Sequence, residues 1–189
     1  MTYKVVVAPA VEPISLAEAK AQCSIDGSEF DTLLTCAIMA ARQIAEHETG
    51  RALCTQTREL ILDAFPSAFV LRGAPIQSLV SIKFLDETGI EQTLDPQDTL
   101  LDKDSEPGYL VPAYGKAWPA SYPIPNAVRV RYVCGYGDAS AVPQGIKSWM
   151  LLAIDTLLEN RSTAVAGQIG SLPDRFWHRL LDPYLVFSL

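Results

Sequence analysis

The sequence is poor in the residues that build catalytic and metal centres. It has two histidines, His47 and His178, and four cysteines that lie far apart. No two cysteines form a C-x-x-C pair, so the spacing argues against a zinc site or a disulfide framework and favours free buried thiols in a reducing compartment. Phosphate-binding glycine loops and the G-x-S-x-G nucleophile motif are missing as well. The sequence therefore predicts a protein that is not an enzyme, with no catalytic residue, cofactor or metal ion.

Long hydrophobic runs are also missing. A membrane-spanning helix needs roughly 18 to 20 apolar residues in succession, and the most apolar helical segment, 146–158, is interrupted by Lys147 and Asp155. At the N-terminus a single charge, Lys4, precedes the short run Val5–Val7, which is not the pattern of a signal peptide. We expect a soluble protein that is made in the cytosol and has no membrane partner.

The residues that are present suffice for a buried core. With 189 residues, of which 49% are hydrophobic, the chain fits one domain or one domain with an insertion. The net charge of −7 comes entirely from the segment 86–106, which contains eight acidic residues and one basic residue. A protein that grips nucleic acid would show a basic face instead, so simple DNA binding is disfavoured.

The acidic segment allows two interpretations. It either lines a passage or forms the solvated outside of a β-region, and the second interpretation is slightly favoured. A calcium loop is disfavoured because the spacing is not that of an EF-hand. The candidate acidic residues are Asp95, Asp98, Asp102 and Asp104.

Two helices are predicted before residue 54. Residues 1–14 read as extended, and Ser15 with Glu18 forms a capping box that begins the first helix. Ser28 and Asp31 mark the start of the second helix, and Gly50 ends it because glycine suits a left-handed cap. Its apolar side chains recur at steps of three and four residues. They are Phe30, Leu33, Leu34, Ala37, Ile38, Ala41, Ile44 and Ala45.

From Thr55 to Gly137 the pattern becomes that of strands. The residues Val128, Val130 and Tyr132 alternate with Arg129 and Arg131, as in a strand with one buried face. The segment 108–125 is rich in proline and glycine and is expected to be mostly loop. Within it, Trp118-Pro119 and Tyr122-Pro123 either dock a peptide or anchor the loop. The predicted strands are Gln56–Leu62, Leu79–Leu85, Ile90–Leu94 and Val128–Val133, with a hairpin turn at 86–89.

A third helix is predicted from Pro143 to Glu159. It is apolar almost all round, with a narrow polar strip at Ser148, Asp155 and Glu159. Such a helix must be covered on most sides, either by the β-region or by a neighbouring subunit. A loop of about ten residues at 162–172 is longer than usual, and a last helix runs from Asp174 through Leu181.

The pattern as a whole predicts an α+β fold. A helical bundle, made of two N-terminal and two C-terminal helices, would occupy residues 1–54 and 138–189. A mainly antiparallel β-domain, residues 55–137, would be inserted into it.

Several segments together resemble the head–tail connector proteins, also called head-completion or adaptor proteins, of long-tailed double-stranded DNA phages. They occur in the family's order and span nearly the whole chain, and the long β-insertion resembles a larger branch of that family. The matching segments are Glu12–Lys20, Ala40–Arg42, Glu48–Leu53, Asn126–Tyr132, Gly135–Gly137, Val142–Pro143, Ile146–Lys147, Leu157–Arg161 and Leu180–Tyr184.

The resemblance implies a structural virion protein of the neck, synthesised in the host cytoplasm. It implies a homo-oligomeric ring of about a dozen copies beneath the portal protein. Such a ring continues the DNA channel without binding DNA specifically and offers a platform for neck and tail completion proteins. The particle is either an infectious phage, a prophage remnant or a gene-transfer particle.

Within this interpretation three groups of residues are candidates for function. The subunit interface is expected at Trp149, Leu152, Glu159 and Arg161. A loop that contacts the portal, and becomes ordered there, is expected at Ser162, Gly167 and Gly170. The acidic residues 95, 98, 102 and 104 would face the channel or the outside.

Two other functions compete with this one. A different ring-forming neck or tail component, similar to a tail terminator, should be mostly β, whereas here helices flank the β-region on both sides. A small cytosolic enzyme or ligand-binding protein should have an enclosed pocket with converging polar groups, and no motif in the sequence indicates one.

Overall fold

The computed structural model describes residues 1–159 and 179–187. The chain folds as α+β with antiparallel sheets, in two compact units. The helices are α1 (Leu16–Gln22), α2 (Asp31–Thr49) and α3 (Gln144–Glu159). The strands are β1 (Thr2–Val7), β2 (Gln56–Leu62), β3 (Phe69–Leu71), β4 (Ile76–Leu85), β5 (Glu91–Leu94), β6 (Thr99–Asp102), β7 (Gly108–Pro112) and β8 (Val128–Cys134).

The first unit contains the strands and comprises Met1–Ala10, Thr55–Tyr136 and the C-terminal end from Val186. Its larger sheet has the order β1-β2-β8-β4-β5, with every neighbouring pair antiparallel. In the central strand β8, Val128, Val130 and Tyr132 are fully buried while Arg129 and Arg131 are exposed, as the alternation predicted. Leu60 and Ile82 flank Val130 in register and complete that apolar layer.

A second sheet of three strands, in the order β3-β7-β6, was not predicted. β7 takes up the first five residues of the segment 108–125, which was expected to be mostly loop. The strand depends on a close approach: a Cβ on Gly108 would lie 2.6 Å from Cγ1 of Ile76. This contact joins residues far apart in the chain, so no local pattern could indicate it.

The second unit contains the helices and comprises Val11–Cys54 and Gly137–Leu185. Ser15 and Glu18 form the predicted capping box at α1, with the Glu18 carboxylate 2.7 Å from the Ser15 amide. Gly50 ends α2 in the left-handed conformation, with φ of 71°. The predicted start of α1 and the predicted stop of α2 are therefore confirmed, because such caps depend on neighbouring residues alone.

The three helices pack on one another within this unit. From α2, Leu34, Ala41 and Ala45 are fully buried, and from α3, Met150 and Ile154 are fully buried. α1 lies against the polar strip of α3, where the Cys23 thiol is hydrogen-bonded to Asp155. α1 and α2 therefore bury part of the α3 surface within the same chain.

Two parts of the predicted architecture need correction. The described residues contain three α-helices, so the four-helix bundle is not matched. Residues 1–54 were assigned as a whole to the helical bundle, but β1 pairs with β2 and belongs to the sheet unit. The predicted loop 162–172 and most of the helix from Asp174 lie outside the described residues.

Candidate interaction surfaces

The described residues hold no group of three or more His, Cys, Asp and Glu side chains able to bind a metal ion. Across the same residues, no helix is long and apolar enough to cross a membrane. One open depression of about 60 Å³ lies on the sheet beside Lys83, Glu91 and Arg129. Another, of about 520 Å³, borders α1, where the Lys20 ammonium is 2.7 Å from the Gly27 carbonyl oxygen. Neither brings together the converging polar groups of a ligand site.

The acidic segment is folded, and its carboxylates shape turns. Asp95 accepts a hydrogen bond from the Gln97 amide at 2.9 Å and begins a short 3₁₀ turn, Pro96–Asp98. Asp98 pairs with Lys116 at 2.9 Å. Asp102 accepts from the Asp104 amide at 3.0 Å and from the Ser105 hydroxyl at 2.6 Å.

These contacts give Asp95, Asp98 and Asp102 local structural roles, which is the usual reason for aspartate at turns. Asp104 supplies the backbone donor to Asp102, and its own side chain is exposed.

A further carboxylate, Asp86, shapes the predicted hairpin turn between β4 and β5. It accepts hydrogen bonds from the Thr88 hydroxyl at 2.5 Å, the Gln92 amide group at 2.8 Å and the Ile90 backbone at 3.1 Å. These bonds lower the pKa of Asp86 to about 2, and the bond from the Thr88 hydroxyl makes the largest contribution.

The depressed pKa of Asp86 leads to a pH prediction. Its stabilising contribution should be fully present above the ordinary value of 3.8 and should disappear as the pH falls through about 2. An NMR titration of the side-chain carboxyl should therefore show its midpoint near 2. Thr88→Ala should move that midpoint upward, and a wild-type midpoint near 3.8 would contradict the assignment.

The face of the larger sheet opposite its apolar layer carries an ion-pair row that the sequence did not reveal. Glu59 on β2 lies between Lys4 on β1 and Arg131 on β8, at 2.9 Å from each. Burial alone would raise the pKa of Glu59, but hydrogen bonds and charge from Lys4 and Arg131 outweigh it and lower the pKa. The row crosses three neighbouring strands and helps fix the register of the edge strand β1.

A buried ion cluster ties the second unit together. Arg42 is 7% exposed, and its Nε lies 2.7 Å from a carboxylate oxygen of Glu12. Its other side contacts Glu46 at 3.3 Å, and Glu46 in turn accepts the Leu53 backbone N–H at 2.9 Å. This cluster joins three of the segments on which the family resemblance was based.

The C-terminal segment is attached to the same unit. Arg51, also 7% exposed, donates from Nε to the Tyr184 carbonyl oxygen at 2.6 Å. The Tyr184 ring lies against Gly145, where a Cβ would be only 3.0 Å from the ring. Arg51 and Tyr184 therefore connect the end of α2 to the first turn of α3.

Three of the four predicted subunit-interface residues, Trp149, Leu152 and Glu159, lie on the described helix α3. Trp149 is 3% exposed, so it belongs to the core of the protomer and is corrected as an interface candidate. Leu152 is half-buried and Glu159 is exposed, so both are available for contacts. Arg161 and the portal-loop candidates Ser162, Gly167 and Gly170 lie outside the described residues.

The Trp118 side chain anchors its loop. Its ring stacks on Phe65 at 5.3 Å between centroids and meets Phe69 edge-on at 5.1 Å. Phe65 also contacts Phe84 at 5.3 Å, which extends the aromatic cluster into the sheet. Of the two interpretations of Trp118-Pro119, the loop anchor is the one that these contacts support.

The apolar pattern of α2 divides into two stripes in the structure. Leu34, Ala37, Ile38, Ala41 and Ala45 are buried, as predicted. Leu33 and Ile44, predicted for the same face, are instead 41% and 42% exposed. They share the solvent side with three more residues. The five residues on the solvent side are called the outer stripe of α2: Leu33, Cys36, Met39, Ala40 and Ile44.

The cysteines differ in exposure. All four are thiols and not disulfides, and Cys54 and Cys134 are buried, as expected, but Cys36 is exposed and Cys23 is partly exposed. Burial, with the nearby Asp155 charge, raises the pKa of Cys23 to about 11, and burial likewise raises the pKa of Cys54 to about 11. Cys36 is therefore the accessible thiol of the folded chain.

Comparison with solved structures finds the same fold over the whole length of this chain. A protein in the neck of an empty gene transfer agent (GTA) particle, computed with C6 symmetry, matches with TM-score 0.82 and 21% identity over 100% of this chain and 97% of its own. A protein in the virion of the native particle matches with TM-score 0.80, 21% identity and the same coverage. A third, from the native neck computed with C12 symmetry, matches with TM-score 0.75, 19% identity and the same coverage.

No family model and no curated protein sequence matches this chain. The likeness is thus one of fold at low sequence identity.

Proposed function

We propose that this chain is a structural neck protein of a phage-like particle, a head–tail connector that works as one copy in a ring. The observation that carries the proposal is the full-length match, at TM-score 0.82, to a protein in the neck of a GTA particle. The match includes both the helical and the sheet unit, since it covers 100% of this chain. A gene-transfer particle is one of the three kinds of particle that the family resemblance allowed.

A ring is supported by the symmetry of the matched particles. The necks in question were computed with C6 and C12 symmetry, and cyclic symmetry places identical copies in repeating contact. In a ring each copy contacts its two neighbours through two different faces. Leu152 and Glu159, which remain on the protomer surface, are proposed to contribute to one of those faces.

In more detail, we propose that the protein is a connector that lies beneath the portal protein. Neck and tail completion proteins would bind to its lower side. The ring would continue the DNA channel through shape, without reading sequence. Carboxylates of the segment 86–106 would keep DNA mobile by repulsion from phosphates if the segment lined the channel. We slightly favour the alternative, in which this segment forms the solvated outside of the β-region and leaves the DNA untouched. We also propose that the free subunit is monomeric or weakly associated and closes into its ring on the portal.

The test is deletion of the gene in a host that produces the particle, followed by electron microscopy. We expect heads without attached tails, and complementation with the wild-type gene should restore tailed particles. Cryo-electron microscopy of the complemented particles should place this chain in the neck. Normal tailed particles from the deletion strain, or a protein found only outside purified particles, would overturn the proposal.

A further inference from the structure

The solvent side of α2 lacks the charges that such a surface normally carries. Leu33, Met39 and Ile44 are 41%, 40% and 42% exposed. The helix has no acidic or basic residue between Asp31 and Glu46 except Arg42, which is buried. The polar residues that share this side are Thr32, Thr35 and Gln43.

A helix on a protein surface usually turns its charged residues outward, opposite its apolar face. An uncharged outer side over several turns is instead the composition of a contact surface.

We propose that the outer stripe of α2 docks against the neighbouring copy of this chain in the assembled ring. The inference rests on the proposed function, because it takes the ring from there and assigns one of its two contact faces. Cyclic assembly requires such a face on every copy, and the necks with the matching fold were computed with C6 and C12 symmetry. The small side chains of Cys36 and Ala40, in the middle of the stripe, allow a neighbouring backbone to approach closely.

The composition of the stripe also excludes other classes of partner. Nucleic acid is bound through lysine and arginine, and the outer side of α2 has neither between Asp31 and Glu46. An interfacial membrane helix combines a larger apolar face with a basic rim, and this face has no basic rim. An apolar protein surface is the partner that fits, and in a homo-oligomeric ring the neighbouring copy supplies it.

The size of the stripe indicates how the contact is used. The three large side chains of the stripe are Leu33, Met39 and Ile44. Even if each had the roughly 150–250 Å² of surface of a large aromatic side chain, their exposed fractions would together offer no more than about 300 Å². A stable pair needs roughly 800 Å² from each partner. The stripe is therefore one part of a weak contact between two copies. A weak contact agrees with the proposal that the free subunit associates little, whereas in a closed ring each copy is held by contacts on both sides.

Cys36 makes the proposal measurable because it lies inside the stripe. The thiolate is the reactive form of cysteine. Cys54 and Cys134 are buried, and the pKa of Cys23 is raised to about 11 by burial and by Asp155, so maleimide should label Cys36 first in the folded subunit. Docking of a neighbour on the stripe should remove this reactivity.

The first experiment compares labelling of Cys36 by N-ethylmaleimide in the free subunit and in purified particles. Mass spectrometry of the Cys36 peptide should show labelling at least tenfold slower in particles. Undiminished labelling of a protein that is present in the neck would overturn the proposed docking and leave the proposed function intact. Absence of the protein from particles would instead overturn the proposed function.

The second experiment identifies the protein that contacts the outer stripe in the particle. A photo-crosslinking amino acid replaces the exposed Gln43 at the border of the stripe, in particles assembled with that variant. Crosslinks between two copies of this chain are the expected result. Crosslinks to a different virion protein, or to residues 160–178 of the same chain, would overturn the proposal.

The third experiment uses matched substitutions. Ile44→Lys should lower the yield of tailed particles at least tenfold, because a charge would be buried in the contact. Val80→Lys is the control, because Val80 is 48% exposed and lies on β4, in the other unit. Particles with this variant should assemble normally. Equal yields from the two variants would overturn the proposal, and thermal unfolding of each confirms that it folds. If Ile44→Lys failed to fold, the labelling of wild-type Cys36 would still decide the matter.

Discussion

Replacement of Arg42 by alanine should lower the free energy of unfolding by roughly 3–5 kcal/mol, the usual result of removing one partner from a buried ion cluster. Arg42 is 7% exposed, and its guanidinium lies 2.7 Å from Glu12 and 3.3 Å from Glu46. Without it two carboxylates remain close together with their counter-charge gone. The loss should be measured by urea unfolding at neutral pH.

The control for Arg42→Ala is Lys83→Ala. Lys83 pairs with Glu91 at 2.7 Å, but both side chains are about half exposed, at 48% and 54%. Solvent and salt screen such a pair, so the control should unfold at the wild-type midpoint. An Arg42→Ala variant as stable as this control would contradict the assigned role of the cluster.

Replacement of Tyr132 by alanine should be similarly severe, at roughly 3–5 kcal/mol, the range for large aromatic residues in a core. Tyr132 is fully buried in the central strand β8, and its hydroxyl donates to the Arg72 carbonyl oxygen at 2.8 Å. Burial raises the pKa of this phenol, so it stays neutral across the working pH range.

Tyr132→Phe separates packing from hydrogen bonding. It keeps the ring and removes the hydroxyl, so unfolding should become easier by about 1 kcal/mol. Thermal or urea unfolding of the three proteins should rank them wild type, Tyr132→Phe, Tyr132→Ala. If the phenylalanine variant were as unstable as the alanine variant, the hydrogen bond to Arg72, and not the ring, would be the larger contribution.

The two predictions concern residues with no chemical activity, which suits a protein whose proposed role depends on shape. A structural ring subunit needs a core that folds reliably and faces that fit its neighbours. Neither requirement demands a fixed catalytic motif, and many sequences can satisfy both. This is a physical reason for a full-length fold match at TM-score 0.82 to occur at only 21% identity.

Elements that depend on neighbouring residues were predictable from the sequence. The capping box at Ser15 and the glycine after α2 are local devices, and both occur where predicted. β2 has the predicted bounds, and β8 and β5 differ from them by one residue at one end. β4 begins three residues before the predicted start at Leu79, because its pairing with β8 continues to Ile76.

Elements that depend on distant residues were not predictable. β6 lies in a part of the acidic segment for which no strand was predicted, and β7 lies in the segment expected to be mostly loop; they become strands because each pairs with the other. The Arg42 cluster joins residues 30 positions apart, so no local pattern marks it. β1 reads as an extended segment before a helix, and only its pairing with β2 assigns it to the sheet unit.

For the candidate site, the sequence by itself determined the kind of protein to expect: an α+β chain without catalytic or metal-binding motifs, whose apolar helices need cover. The tertiary structure decided which apolar residues receive that cover. It buried Trp149 and left Leu33 and Ile44 exposed, although all three belong to apolar helical patterns. The physical reason is that periodicity reports that a helix has an apolar side, whereas exposure depends on which other elements of the chain pack against it.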